Sequence, residues 1–68
     1  MTALQLGNKI RERRHMLDLS QVELGNMIGL DDRYVSRLEL GKMNITIATL
    51  GTVFKALKLR MEIRPISK

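Results

Sequence analysis

The stretch that decides the fold is LSQVELGNMIGLDDRYVSRLELGK, which runs from Leu19 to Lys42. Within it, Ser20 and Glu23 have the spacing of a capping box. The serine hydroxyl accepts from the Glu23 backbone and the carboxylate reaches back to the Ser20 N–H, so a helix begins there. Gly29 can adopt the left-handed conformation that ends a helix. The pattern therefore predicts a short helix of about two turns.

A second short helix follows after only one intervening residue, Leu30. Asp31 is a favoured N-cap residue, Val35 and Leu38 are spaced to face a core, and Gly41 supplies another left-handed cap. Two short helices joined by a glycine-containing turn form a helix-turn-helix.

Helices are also predicted on both sides of this unit. The apolar residues Leu6, Ile10 and Leu17 indicate a first helix from about Leu4 to Leu17. Thr46 caps a fourth, whose apolar residues recur three and four apart. Gly51 inside that helix provides room for close packing or is simply tolerated. The apolar residues of the fourth helix are Ile47, Leu50, Val53, Phe54 and Leu57.

The last segment has the period of a strand instead of a helix. From 59 to 66, apolar Leu59, Met61 and Ile63 alternate with charged residues up to Pro65. A single strand leaves its backbone N–H and C=O groups without ladder partners, which a second copy of the chain can supply. Two-fold pairing of Met61, Glu62 and Ile63 with their symmetry mates would make a homodimer.

The composition of the chain limits the classes of function that are possible. The 68 residues form one domain, 1–68, and twelve Lys and Arg against seven Asp and Glu give a net charge of +5. This charge favours a polyanionic partner, although solubility alone would also account for it. The absence of cysteine excludes disulfides and thiolate metal sites. No membrane span or secretory core is seen, so we expect a cytoplasmic protein without a membrane partner.

The quoted stretch resembles the helix-turn-helix of the phage repressor and Cro family, also called the XRE family. This resemblance implies a mainly α fold, a lambda-repressor-like domain of four to five helices that binds double-stranded DNA. The residues that carry it are Ser20, Gln21, Leu24-Gly25, Gly29-Leu30, Val35-Ser36-Arg37-Leu38-Glu39 and Gly41-Lys42. The family usually has Ala where Gly25 stands.

The segment ITIATLGTVFKALKLRMEIRP is similar to the end of HipB-type antitoxins, in which a last helix runs into a strand that pairs between two subunits. This second resemblance implies a dimer on an operator with an inverted repeat. It also implies an autoregulating antitoxin of a HipBA-like operon, with a HipA-like kinase toxin as partner. The alternative is a stand-alone repressor without a toxin.

The XRE resemblance also assigns roles to individual residues. Arg33 and Arg37 face base edges, where an arginine fork can donate two hydrogen bonds to guanine. Asp32 faces the bases too, or else it orients Arg33 or stabilises the helix N-terminus. Arg14 and Glu39 form a structural pair that holds the recognition helix. The residues expected at phosphates are Gln21, Tyr34, Ser36, Lys42 and Asn44.

The arginines of the first helix and the acidic residues each allow two interpretations. Arg11 and Arg13 either extend the basic surface or form an ordinary solvated helix face, and the latter is favoured. An enzyme would need a catalytic constellation, and the best candidates are His15 with Glu12 and Asp18, or the adjacent Asp31 and Asp32. Neither group has a nucleophile or a phosphate loop beside it, so we expect no enzyme and no cofactor.

Overall fold

In a computed structural model, which describes residues 1–60, the chain folds as four helices. These are α1 (Ala3–Met16), α2 (Gln21–Ile28), α3 (Asp32–Glu39) and α4 (Ile47–Ala56). The predicted mainly helical fold of the phage-repressor type is confirmed. The three residues proposed to pair between subunits, Met61, Glu62 and Ile63, lie outside the described residues.

Each helix begins at a polar side chain that accepts from a backbone N–H three residues later. The sequence predicted this for Ser20, Asp31 and Thr46, and all three are confirmed. It missed Thr2, which forms a reciprocal capping box with Gln5 at 3.1 and 2.8 Å. The Thr-x-x-Gln spacing of that box was present in the sequence and is the signal that would have found it.

All four helices are followed by a residue with positive φ. Gly29 and Gly41 were predicted to take this conformation, with φ of 75° and 71°, and do so. Asp18 and Lys58 adopt it as well, at 56° and 57°, without being glycine. After Lys58, the Leu59 N–H donates to the Phe54 carbonyl at 2.8 Å. Leu59, the first residue of the predicted strand, thus completes the C-terminal cap of α4, and residues 61–66 of that strand lie outside the described residues.

The core lies where α1, α3 and α4 meet around α2. Its buried members come from all four helices and the residue after α4: Ile10, Leu24, Val35, Leu38, Val53 and Leu57. Ile47 was predicted to share the apolar face of α4 but is 74 % exposed, so that assignment is wrong. No helix within residues 1–60 is both long and apolar enough to cross a membrane.

Two glycines let α1 cross directly over the end of α3. A Cβ on Gly7 would lie 2.5 Å from the carbonyl oxygens of both Leu38 and Glu39. A Cβ on Gly41 would lie 2.7 Å from the Cα of Leu4. Because these neighbours are backbone atoms, no side-chain movement could make room, and the crossing depends on the missing methyl groups.

Close approach also explains the glycine at the position where the family usually has alanine. Gly25 is buried, and a Cβ there would lie 2.8 Å from the Leu30 carbonyl oxygen in the turn that leads to α3. Gly51, in contrast, has open space around its missing Cβ. The interpretation that Gly51 provides room for close packing is therefore wrong, and the glycine is simply tolerated in α4.

The same substitution should consequently have opposite effects at two helical glycines. We expect Gly7→Ala to destabilise the fold by about 1–3 kcal/mol, because the added methyl meets two backbone carbonyls. We expect Gly51→Ala to stabilise it by up to about 1 kcal/mol through helix propensity. Urea denaturation of both variants beside the wild type measures this, and two shifts of the same sign would contradict the packing described here.

Candidate nucleic-acid interface

The exposed face of α3 presents the residues expected to read bases. Asp32, Arg33 and Arg37 are all exposed. Arg33 lies 3.8 Å from a carboxylate oxygen of Asp31, with 88 % of its side chain exposed, so this ion pair leaves the guanidinium available. Asp31 rather than Asp32 is thus the partner of Arg33, which corrects the orienting role considered for Asp32. Asp32 lies in the first turn of α3, where a negative charge is favourable.

A buried ion pair joins α1 to the end of α3, as the sequence predicted. The Arg14 Nε–H donates to one Glu39 oxygen at 2.6 Å and Nη2 donates to the other at 3.0 Å. Arg14 Nη1 also donates to the Leu19 carbonyl at 2.8 Å, and Gln21 Nε2 donates to Glu39 at 3.3 Å. The network therefore connects three helices, and it fixes the start of α2 relative to the recognition helix α3.

The start of α2 is a place where a phosphate can bind. The first N–H groups of a helix have no partner within it. Ser20 accepts from the Glu23 and Leu24 N–H groups, which leaves those of Gln21 and Val22 for an external acceptor. The Ser20 backbone N–H donates to Glu23 and lowers the pKa of that carboxyl. Gln21 itself is half-buried, and its side chain is held by Glu39.

The loop after α3 carries the other expected phosphate ligands. The Lys42 N–H donates to the Arg37 carbonyl at 3.0 Å, so this loop is fixed to the end of the recognition helix. The side chains of Lys42 and Asn44 are exposed. Ser36 is half-buried, and Tyr34 packs partly against the core. Of the five residues expected at phosphates, Lys42 and Asn44 are therefore exposed, whereas Gln21, Tyr34 and Ser36 are half-buried.

The cations of α1 fall into different environments, which the sequence did not separate. The sequence predicted that Arg13 lies either on a solvated helix face or on an extended basic surface, and both alternatives are wrong. It is half-buried, and its Nε–H donates to the Leu57 carbonyl at 3.0 Å, which ties α1 to the end of α4. Arg11 is exposed and borders a small cleft shared by α1, α2 and α3.

A larger apolar groove lies on the opposite side of α1. It has a volume of about 370 Å³ and runs between α1 and the end of α4. Leu6, Ile10, Phe54 and Leu59 form much of its wall, and Arg60 borders it where the described chain ends. Arg60, the last described residue, therefore lies at the edge of this groove.

The residues considered for catalysis lie at exposed positions on α1, directly after it and at the start of α3. His15 and Glu12 are exposed on α1, and Asp18 adopts the left-handed conformation after that helix. Asp31 caps α3. Within residues 1–60, no group of three His, Asp or Glu side chains is arranged to hold a metal ion.

Comparison with known proteins agrees with this geometry. A family model described as a helix-turn-helix matches residues 10–63, which include α2, α3 and α4. The chain belongs to this family. It is of the XRE type, and the family is one of DNA-binding regulators. The family resemblance found in the sequence is thereby confirmed.

The relatives of this XRE-type chain include two groups that bear on its function. The first contains controllers. The control protein C.MunI from a Mycoplasma species is 32% identical over 59 residues, covering 85% of this chain and 80% of its own. The restriction-modification controller protein C.AhdI from Aeromonas hydrophila is 31% identical with a TM-score of 0.81, covering 85% of this chain and 84% of its own.

The second group contains HipB. A chain of the HipA–HipB–O2–O3 complex is 25% identical with a TM-score of 0.81. This match covers 98% of the present chain and 94% of the matched one. The length of the chain and its fold are therefore shared with both groups.

Proposed function

We propose that this protein is a sequence-specific transcriptional regulator that binds an operator with an inverted repeat as a homodimer. The observation that carries the proposal is the exposed α3 face, on which Arg33 and Arg37 have no strong partner among residues 1–60. A buried network fixes that face relative to the start of α2. Side chains held in this way can enter the major groove while Gln21 and Lys42 bind phosphates on either side.

The division of labour among these residues follows from their chemistry. A guanidinium discriminates guanine through two parallel hydrogen bonds to O6 and N7, so Arg33 and Arg37 supply specificity. An ammonium group such as that of Lys42 attracts any phosphate and supplies affinity without regard to sequence. Because the Lys42 N–H donates to the Arg37 carbonyl, the loop that carries Lys42 is held at a fixed position relative to the recognition helix.

Selection of bound duplexes from a random pool tests the proposal directly. Enrichment of an inverted repeat is the expected result, with half-site centres one or more turns of about 10–10.5 base pairs apart. Binding should weaken steeply with salt because counterions are released from the phosphates. A pool that stays unenriched would contradict sequence-specific recognition.

Substitution of one arginine and one lysine should then separate the two kinds of contact. We expect Arg33→Ala to lose about 1–3 kcal/mol of discrimination at a single base position, because a bidentate contact disappears. Lys42→Ala should weaken selected and random duplexes by the same factor. Anisotropy titrations with both duplexes measure this. If each variant lost the same factor of affinity for both duplexes, Arg33 would not be a base-reading residue.

The more specific form of the proposal is an autoregulating antitoxin that binds a HipA-like kinase. Support comes from the HipA–HipB complex, in which the matched chain has nearly the length of this one. Co-purification with the product of the neighbouring gene is the test, and capture of a kinase-like protein is expected. A restriction-modification gene pair in that place would instead favour a controller, as in C.AhdI. If the neighbouring gene encodes neither a kinase-like toxin nor a restriction-modification enzyme, the protein would be a stand-alone repressor.

The dimer proposal is supported by the position of the apolar groove beside the end of α4. Leu59 lines the groove and Arg60 borders it, so an apolar surface lies beside the last described residues. Apolar side chains at Met61 and Ile63 of a second chain have the chemistry to cover such a surface. Backbone pairing between the two copies would satisfy the N–H and C=O groups of the strand.

A further inference from the structure

The cleft between α1, α2 and α3 has features that the recognition helix alone does not explain. Its volume is about 120 Å³, and it opens beside the Gln21 side chain at the start of α2. Asn8 and Arg11 line it from α1, and Ser36 lines it from α3. Hydrogen-bond donors from three helices therefore converge on one small space.

Charge in the cleft favours an anion. The Glu39 carboxylate also lines it, but Arg14 neutralises that group with two hydrogen bonds. The remaining charge is that of Arg11, which is exposed and, within residues 1–60, makes no hydrogen bond or ion pair. The neighbouring arginines of α1 differ in this respect, since Arg13 is bound to the Leu57 carbonyl and Arg14 is buried.

We infer that the DNA surface extends onto α1 and that Arg11, with Asn8, binds a backbone phosphate of the duplex in this cleft. The inference rests on the proposed DNA-binding function. It assigns a phosphate contact to Arg11, for which the sequence favoured a solvated helix face. A guanidinium can donate two parallel hydrogen bonds to phosphate oxygens, and the Asn8 amide adds a neutral donor. Half-exposed Leu4 and Leu40 border the cleft and restrict water around the contact.

The test compares two cations on the same helix. Arg11→Ala should make the slope of log K against log salt shallower by about 0.9, the contribution of one phosphate contact on duplex DNA. Arg11→Lys should keep most of that slope. Lys9→Ala is the matched control, because Lys9 is exposed on the other side of α1, and sedimentation must show that this variant keeps the wild-type mass because Lys9 also lines the apolar groove there. The probe is the duplex selected from the random pool.

A second measurement identifies the phosphate itself. Neutral methylphosphonates are placed one at a time along the duplex. At one position per half-site, this replacement should weaken duplex binding by the wild type and by Lys9→Ala but leave the binding of Arg11→Ala unchanged. Equal slopes for Arg11→Ala and Lys9→Ala, with wild-type binding intact, would overturn the inference alone. A wild-type protein without salt-dependent duplex binding would instead overturn the proposed function.

Discussion

Removal of either partner of the buried Arg14–Glu39 pair is expected to cost about 3–5 kcal/mol of folding stability. Only 8 % of the Arg14 side chain and 3 % of that of Glu39 are exposed, so the partner left behind would be a buried, unpaired charge. A domain of this size has a total stability of about 5 kcal/mol or little more. We therefore expect Arg14→Met and Glu39→Leu to retain at most about 2 kcal/mol of folding stability, which chemical denaturation would show as a large fall of the midpoint.

The double variant Arg14→Met with Glu39→Leu separates stability from positioning. Two apolar side chains of similar volume remove both charges, so most of the lost stability should return. Operator affinity should stay reduced, because Gln21 would no longer have the Glu39 oxygen that holds it against α3. Full recovery of both stability and affinity would show that the network does not position the phosphate-binding start of α2.

Loss of the dimer should have the largest effect on operator binding. We expect Ile63→Pro to give a monomer, because proline removes the backbone donor that strand pairing requires. Two linked recognition helices bind an inverted repeat with far higher avidity than one. The affinity for the selected duplex should therefore fall by about 100-fold or more. Sedimentation equilibrium gives the mass, and anisotropy gives the affinity.

A conservative variant controls for the loss of the side chain. Ile63→Val keeps the backbone N–H and the β-branched shape, so it should remain a dimer with nearly unchanged affinity. If Ile63→Pro kept the dimer mass, strand pairing would be ruled out and the interface would have to lie on the helices, with the groove between α1 and α4 as its first candidate.

Much of the helical framework could be predicted from the sequence because its signals are local. A cap requires a side chain and a backbone group three residues apart, so Ser20, Asp31 and Thr46 were found without any knowledge of packing. The base-reading set is local in the same sense, since Asp32, Arg33 and Arg37 share one short helix. The structure confirms that all three are exposed, while their contacts to bases stay a prediction.

Errors arose where the decisive neighbour is distant in the chain. Gly7 and Gly51 both stand within helices, yet only Gly7 meets the backbone of another helix. Arg13 and Arg11 are two residues apart on α1, and only the first reaches the end of α4. The helical period places residues on a face, but it does not state what lies opposite that face.

By itself, the sequence determined where the helices of the helix-turn-helix begin and end, and its resemblance to the XRE family indicated which residues the recognition helix presents. The helix bounds could be predicted because capping, left-handed glycines and helical periodicity act within a few residues of one another. The tertiary structure alone decided that Arg13 binds the end of α4 and that Arg11 borders the cleft. Both depend on how α1 packs against distant parts of the chain, including its crossing over α3, where Gly7 and Gly41 allow backbone contacts between residues more than thirty positions apart.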